Sequence, residues 1–400
     1  MKTSRKCCIS LRGDAMGIYI NGNAPQTCYY GDKAVKKIYL GDALLWPTKK
    51  ELEYIGTITP LSEARSQLAA ASVGDYALFA GGYSNKSTVD AYDTALTRTT
   101  PTPLSRAGFA LAAATVGDYA LFGGGRISSS GLSNIVDAYN KSLIRTTAPT
   151  NLRDFRHSLA AAVVGNHALF GGGKGIGDHS TNYNTVDAYD ASLTSKSVDW
   201  LTYPGRFCLA AAATEKYAVF GGGRSTGQYV TDNKYFTTVD AYDTSLTHTT
   251  PTELSLTRES LAAAAVGDYI LFAGGKTGYS AGGAYPVYSN IVDAYDANLT
   301  RTTPQELSVA RMCIAGLTTG EFALFGGGMQ NGTEHFAVVD AYDASLTRTT
   351  LTELGVKTTY LAAATVGDYA LFGGGSRMNW INETTGSGVD TDVVHAYKLK

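Results

Sequence analysis

Charge is scarce in this chain. Charged residues make up 17%, Lys and Arg number 33 against 35 Asp and Glu, and the net charge is −2. With no basic excess and no basic run, an electrostatic footprint for nucleic acid is not expected. Cysteine is also sparse: Cys7, Cys8, Cys28, Cys208 and Cys313 follow no paired spacing. That excludes a disulfide framework and reads as free thiols in a protein folded under reducing conditions. No His or Cys stands at ligand spacing from Cys7-Cys8, so no metal or other cofactor is expected. Long apolar runs are missing too, and nothing approaches the roughly 20 residues of a membrane span. The opening MKTSRKCCISLRGDAMG is basic but lacks the apolar stretch of a signal peptide. The expectation is a protein made in a cytoplasm, without insertion into a membrane.

What the chain has in abundance is repetition. Leu111–Gly125 reads LAAATVGDYALFGGG, and Leu361–Gly375 repeats it letter for letter. Related phrases end at Gly82, Gly125, Gly173, Gly223, Gly275, Gly328 and Gly375. Each is followed by a variable stretch and then a phrase such as Val136-Asp137-Ala138-Tyr139. Alanine favours helix, but each Leu-Ala-Ala-Ala run is short and meets a Gly-Asp or Gly-Asn turn in most copies. Alternating aromatic and aliphatic residues follow, as in Tyr76-Ala77-Leu78-Phe79, which is strand patterning. The first repeat is expected to hold strands near 67–73, 76–81, 88–92 and 96–102. A glycine in a strand costs about 0.5–1 kcal/mol relative to alanine. Seven glycine clusters are tolerable only where close backbone approach forbids a side chain.

Repeats of roughly 50 residues ending a strand in a glycine doublet resemble the kelch family of β-propellers. The Tyr-Asp pairs at Tyr92-Asp93, Tyr189-Asp190, Tyr242-Asp243, Tyr295-Asp296 and Tyr342-Asp343 strengthen that resemblance. It departs where the family carries tryptophan, since Arg98, Arg145, Ser195, His248, Arg301 and Arg348 stand there. In a tight hairpin these arginines would face the preceding aspartates as Asp90–Arg98, Asp137–Arg145, Asp293–Arg301 and Asp340–Arg348 pairs on the outer rim. The last repeat has His395 in place of the aspartate. The expected fold is all-β: a small β leader over residues 1–50 and a seven-bladed kelch-like propeller over residues 51–400. The seventh repeat stops at Val394-His395-Ala396-Tyr397, so residues 53–59 are expected to supply its missing outer strand.

In antiparallel blades with strands a to d, the a–b and c–d turns share one face of the disc. The b–c and d–a connections share the other. The a–b turns are short and alike, whereas the b–c loops differ from 83–88 in the first repeat to 376–393 in the last. Loops 174–185, 224–238 and 276–291 form the best candidate patch. Candidate ligand-binding residues are Tyr183, Tyr229, Tyr235, Phe236, Tyr279, Tyr285, Tyr288 and Trp380, set among Ser, Gly, Asn and Thr. Such amphipathic aromatics beside small polar residues resemble a paratope and suit a glycan or a protein surface.

The leader carries strand-and-turn segments at Ile18–Gly22 and Ile38–Asp42. Its stretch VKKIYLGDALLWP, Val35–Pro47, resembles a segment of minor structural and tail-tip proteins of phages and prophages. That resemblance implies a virion protein assembled in the host cytoplasm, held to other virion proteins through residues 1–50. The propeller would then bind a host surface glycan or protein, and a homo-oligomer in the particle is compatible with this reading. Two alternatives stay open. One is a glycan-active propeller enzyme with dispersed carboxylates. The other is an intracellular adaptor taking a peptide at the channel mouth through Arg65, Arg156, Arg258 and Arg311. No sialidase box, HExxH or Walker loop occurs. The string Gly171–Gly177 opens no helix, and Asp178-His179 and Glu334-His335 read as solvated loop residues.

Overall fold

A computed structural model describes residues 50–127, 131–148, 150–176, 181–227, 233–280, 285–380 and 386–400, together with four short strands between Cys28 and Trp46. The contacts divide the chain into two units, Met1–Glu51 with Lys400, and Leu52–Leu399. In the first unit Cys28–Tyr30 pairs with Lys33–Val35, and Ile38–Leu40 pairs with Ala43–Trp46. The expected segment at Ile18–Gly22 and the Cys7-Cys8 pair lie outside the described residues.

The second unit is a seven-bladed β-propeller, with no helix among the described residues. Each blade is a four-stranded antiparallel sheet. In blade 1, strand a is Ala69–Val73, b is Tyr76–Ala80, c is Val89–Tyr92 and d is Arg98–Thr99. In blade 7, strands Ala362–Val366, Tyr369–Gly373 and Val394–Leu399 take Leu52–Ile58 as their outer strand. The register runs from Val394 opposite Ile58 to Leu399 opposite Leu52. The ring is therefore closed by an earlier segment of the chain, which covers the edge of strand c. Leu52 and Leu399 both lie at the end of blade 7 that carries the a–b turn.

The core lies between blades rather than within them. One cluster joins Val116, Leu121 and Leu152 of blade 2 to Phe170, Tyr189 and Leu193 of blade 3. Six more clusters repeat this arrangement around the ring. In every blade the phenylalanine of strand b meets the tyrosine of strand c edge to face, as for Phe220 and Tyr242 at 6.0 Å. That tyrosine then donates its hydroxyl proton to a carbonyl leaving the preceding blade. Tyr92 reaches Thr59 at 2.8 Å and Tyr295 reaches Thr252 at 2.8 Å. Glycine is required where this interlock is tightest. Gly222 has φ +69°, and a Cβ there would lie 2.7 Å from the carbonyl oxygen of Arg258 in the next blade.

The aspartate–arginine pairs differ from the rim arrangement expected from sequence. Arg98 sits opposite Tyr92, so Asp90 is its diagonal neighbour, 3.7 Å away. Asp90, Asp293 and Asp340 are wholly buried and Asp137 nearly so. Each is a hub. Asp340 accepts from Ser308 N and Oγ, from Arg348 at 2.9 Å and from Arg311 at 3.1 Å. Arg65, Arg156, Arg258 and Arg311 are therefore structural. Each has no exposed side-chain surface and pairs with Asp90, Asp187, Asp293 or Asp340 respectively. Other donors of theirs cap carbonyls, as Arg156 does at Gly172, Thr185 and Phe170, while Nε of Arg65, Arg156 and Arg258 makes no hydrogen bond. None of them can serve a ligand at the channel mouth without unfolding its surroundings.

Candidate functional site

The two faces are built differently. On the turn face, residues Asp93, Asn140, Asp190, Asp243, Asp296 and Asp343 each accept two backbone N–H bonds and set the c–d turn. Asp93 takes them from Ala95 and Thr97. A leucine in left-handed conformation follows each time, from Leu96 (φ 62°) to Leu346 (φ 59°). The same short solution recurs because these turns only join adjacent strands.

On the opposite face the connections are individually made. The b–c loops of blades 4 to 7 rise as separate two-stranded hairpins: Arg224–Ser225 with Lys234–Tyr235, Lys276–Tyr279 with Pro286–Tyr288, Met329–Gln330 with Glu334–His335, and Ser376–Trp380 with Gly386–Asp390. Neighbouring loops are tied together. The side-chain amide of Asn182 donates to Thr226 O at 2.9 Å, and Asn331 N donates to Tyr288 Oη at 2.9 Å.

The aromatic residues singled out from sequence take different positions here. Tyr279 and Tyr285 are exposed, at 56% and 73%. The Tyr279 ring lies 4.0 Å from Nζ of Lys276, a cation–π contact. Tyr235 reaches toward the same hairpin, with ring carbon Cε2 within 3.9 Å of where a Gly278 Cβ would stand. Tyr288 is half-buried against the next blade's loop, and Phe236 is half-buried and bound through its backbone to Gly223. Tyr183 lines a cavity of about 280 Å³ with Leu132, Phe155, Gly175, Ile176 and Thr181. Tyr229 lies outside the described residues, as does the side chain of Trp380, whose backbone ends a hairpin strand.

Sequence patterning missed three exposed aromatics on the d–a connections: Phe155 (57%), Trp200 (47%) and Tyr203 (83%). Arg153 stacks over Trp200, 5.4 Å from its centroid. A signal was present, since SVDWLTYPGRF replaces the Thr-Pro-Thr phrase of other repeats there.

The d–a connections also build the mouth of the central channel. Gln67, Ala110, Ser158, Cys208, Ser260, Cys313 and Tyr360 stand just before the seven strands a, all at φ between 52° and 54°. Each donates its N–H to the carbonyl of its counterpart in the preceding blade, from Ala110 to Gln67 (3.0 Å) round to Gln67 to Tyr360 (2.9 Å). This closed ring of backbone bonds rims a cavity of about 330 Å³. Burial pushes the thiol of Cys208 up to about 11 and that of Cys313 up to about 12, so both are protonated and unreactive at neutral pH.

Around this rim runs a second circle, the residues that follow the glycine clusters. Arg126, Lys174, Arg224 and Lys276 bridge backbone to backbone with Phe109, His157, Phe207 and Glu259. Lys174 Nζ and Arg224 Cζ each lie 4.8 Å from the Phe207 ring. Arg224 Nε is 2.8 Å from Glu259. Burial, with Arg126 and Lys174 nearby, lowers the His157 pKa to about 4, leaving the ring neutral. Among the described residues no three His, Cys, Asp or Glu side chains gather as a metal site.

No protein-family model and no curated protein matches the chain. Solved structures do match. One is the structure of YjhT, 13% identical, with a TM-score of 0.59 over 74% of this chain and 99% of that one. At that identity the likeness establishes the propeller architecture alone.

Proposed function

We propose that this chain is a surface-recognition protein whose propeller binds a glycan or protein surface through the b–c and d–a face. We further propose that it acts as a phage tail or fibre component, held to other virion proteins through residues 1–50. One observation carries the binding reading: the contrast between a turn face that repeats one solution and a loop face that carries a different device on each blade. A purely architectural ring gains nothing from unequal hairpins tipped with exposed Tyr279 and Tyr285. Exposed aromatics over polar neighbours give large contact area at low conformational cost. The tail-protein resemblance of Val35–Pro47 supports the virion reading.

The test uses the full chain and the cells of a candidate host. Replacing Tyr203, Tyr279 and Tyr285 with alanine is expected to abolish attachment while shifting the melting temperature little, because all three are exposed. Undiminished attachment by that variant would remove the proposed face.

A further inference from the structure

Four adjacent blades place a cation at one equivalent position beside the channel mouth: Arg126, Lys174, Arg224 and Lys276. The other three blades place Tyr83, Met329 and Ser376 there, so the fold does not demand a cation. The Lys174 pKa is lowered by burial and then by its neighbours Arg224 and Arg126. Lys276 is only 9% exposed, and although burial opposes its charge, the Tyr279 hydrogen bond, Tyr235 and Glu259 outweigh it and raise its pKa. Among the described residues of this circle, Glu259 is the one carboxylate set against four cations, and it is bound to Arg224. Among the described residues the arc thus sets four cations beside one carboxylate in a partly dewatered rim, on a chain whose overall charge is negative.

We propose that this arc binds a polymer carrying repeated anionic groups, phosphate or carboxylate, laid across blades 2 to 5 beside the channel mouth. A single anion could not meet cations spread over four blades, whereas successive anions along a chain could. The half-buried ring of Phe109 and the exposed ring of Tyr279 stand among the cations and offer flat apolar contact to the polymer backbone, while the buried Phe207 ring lies beneath Lys174 and Arg224. This deepens the reading of the loop face as the binding face and rests on it: it names the surface component as an acidic glycan or a polyol phosphate.

Binding of the full chain to a polyglycerol phosphate, to oligogalacturonate and to neutral dextran is measured at about 0.15 M and about 0.5 M salt. One or both anionic chains should bind, weaken at the higher salt and exceed dextran, and the stronger of the two identifies the anion. Arg126→Gln with Lys174→Gln should weaken that binding about tenfold or more, while Lys141→Gln on the turn face leaves it unchanged. Should the double variant melt early, Lys174→Gln alone carries the test. Equal binding of dextran, no binding of either anionic chain, or unaltered affinity in a folded Lys174→Gln variant overturns the inference. The tyrosine variant on cells is judged separately, so the broader reading survives or fails on its own result.

Discussion

Nη2 of Arg311 lies 3.1 Å from Oδ2 of Asp340, and neither side chain has exposed surface. The pair links the connection entering blade 6 to that blade's strand c. Blade 7 solves the same place without charge: Thr358 replaces the arginine and His395 the aspartate, and both are buried. Cation and anion are present together in blades 1, 3, 4, 5 and 6 and absent together in blade 7. Blade 2 keeps Asp137 without such an arginine, since Gly108 stands there, and Ser105 and Arg145 remain its partners.

Removing one member of this pair should be severe. Asp340→Ala would leave the Arg311 guanidinium buried and uncompensated, a loss of about 3–5 kcal/mol. The double variant Arg311→Thr with Asp340→His imitates blade 7 and should recover most of that loss. Denaturant unfolding measures both. A double variant no more stable than Asp340→Ala would mean the two positions are not coupled.

Stability should fall in mild acid through His395. Gly355 N–H donates to Nδ1 of His395 at 3.3 Å, so that nitrogen is unprotonated, and the Tyr54 hydroxyl is 3.0 Å from it. Burial depresses the His395 pKa to about 4 from an ordinary 6.5. The unfolded chain then binds more protons between those values, so stability is complete above about pH 6.5 and lost as pH falls toward about 4. The loss is roughly 3 kcal/mol at most. His157 is depressed to about 4 as well, so the His395→Gln variant isolates one share of the slope. Unfolding curves taken across that window should be flatter for the variant than for the natural chain.

Neighbouring glycines should differ in what they tolerate. A Cβ on Gly221 would meet the Phe272 ring at 2.8 Å, yet blades 1 and 5 hold Ala80 and Ala273 at the equivalent position. Gly221→Ala should therefore cost about 1 kcal/mol or less after small adjustment. Gly222→Ala combines a left-handed backbone with a carbonyl 2.7 Å away and should cost several times more. Thermal unfolding of the two variants side by side decides it.

Strand Leu52–Ile58 should act as a clasp. A chain beginning at Thr59 would expose the outer edge of Val394–Leu399, which Leu52–Ile58 otherwise covers. Lower melting temperature and edge-to-edge association are expected, read by scanning calorimetry and size-exclusion chromatography.

Much of the ring was legible because its constraints are local and repeated. Glycine doublets recur in all seven blades and Tyr-Asp pairs in five, each marking a backbone requirement, and the missing last strand marks where the ring closes. The buried fate of Arg65, Arg156, Arg258 and Arg311 was not legible. Spacing puts them in connections, but only the packing of one blade on the next shows that their heads reach Asp90, Asp187, Asp293 and Asp340. The cation arc was hidden for the same reason. Arg126, Lys174, Arg224 and Lys276 are far apart in sequence and become neighbours only when the ring closes. Tyr279 and Tyr285 stand out as loop aromatics, whereas the exposure of Trp200 and Tyr203 on a d–a connection depends on packing that spacing does not report.

Hydrogen exchange of the full chain, free and bound to its target surface, tests the account most directly. Protection on binding should fall on the hairpins at Lys276–Tyr279 and Pro286–Tyr288 and on the connections near Phe155 and Phe207. Protection confined to the opposite turns, at Gly117–Tyr119 and Asn140–Ser142, would contradict it.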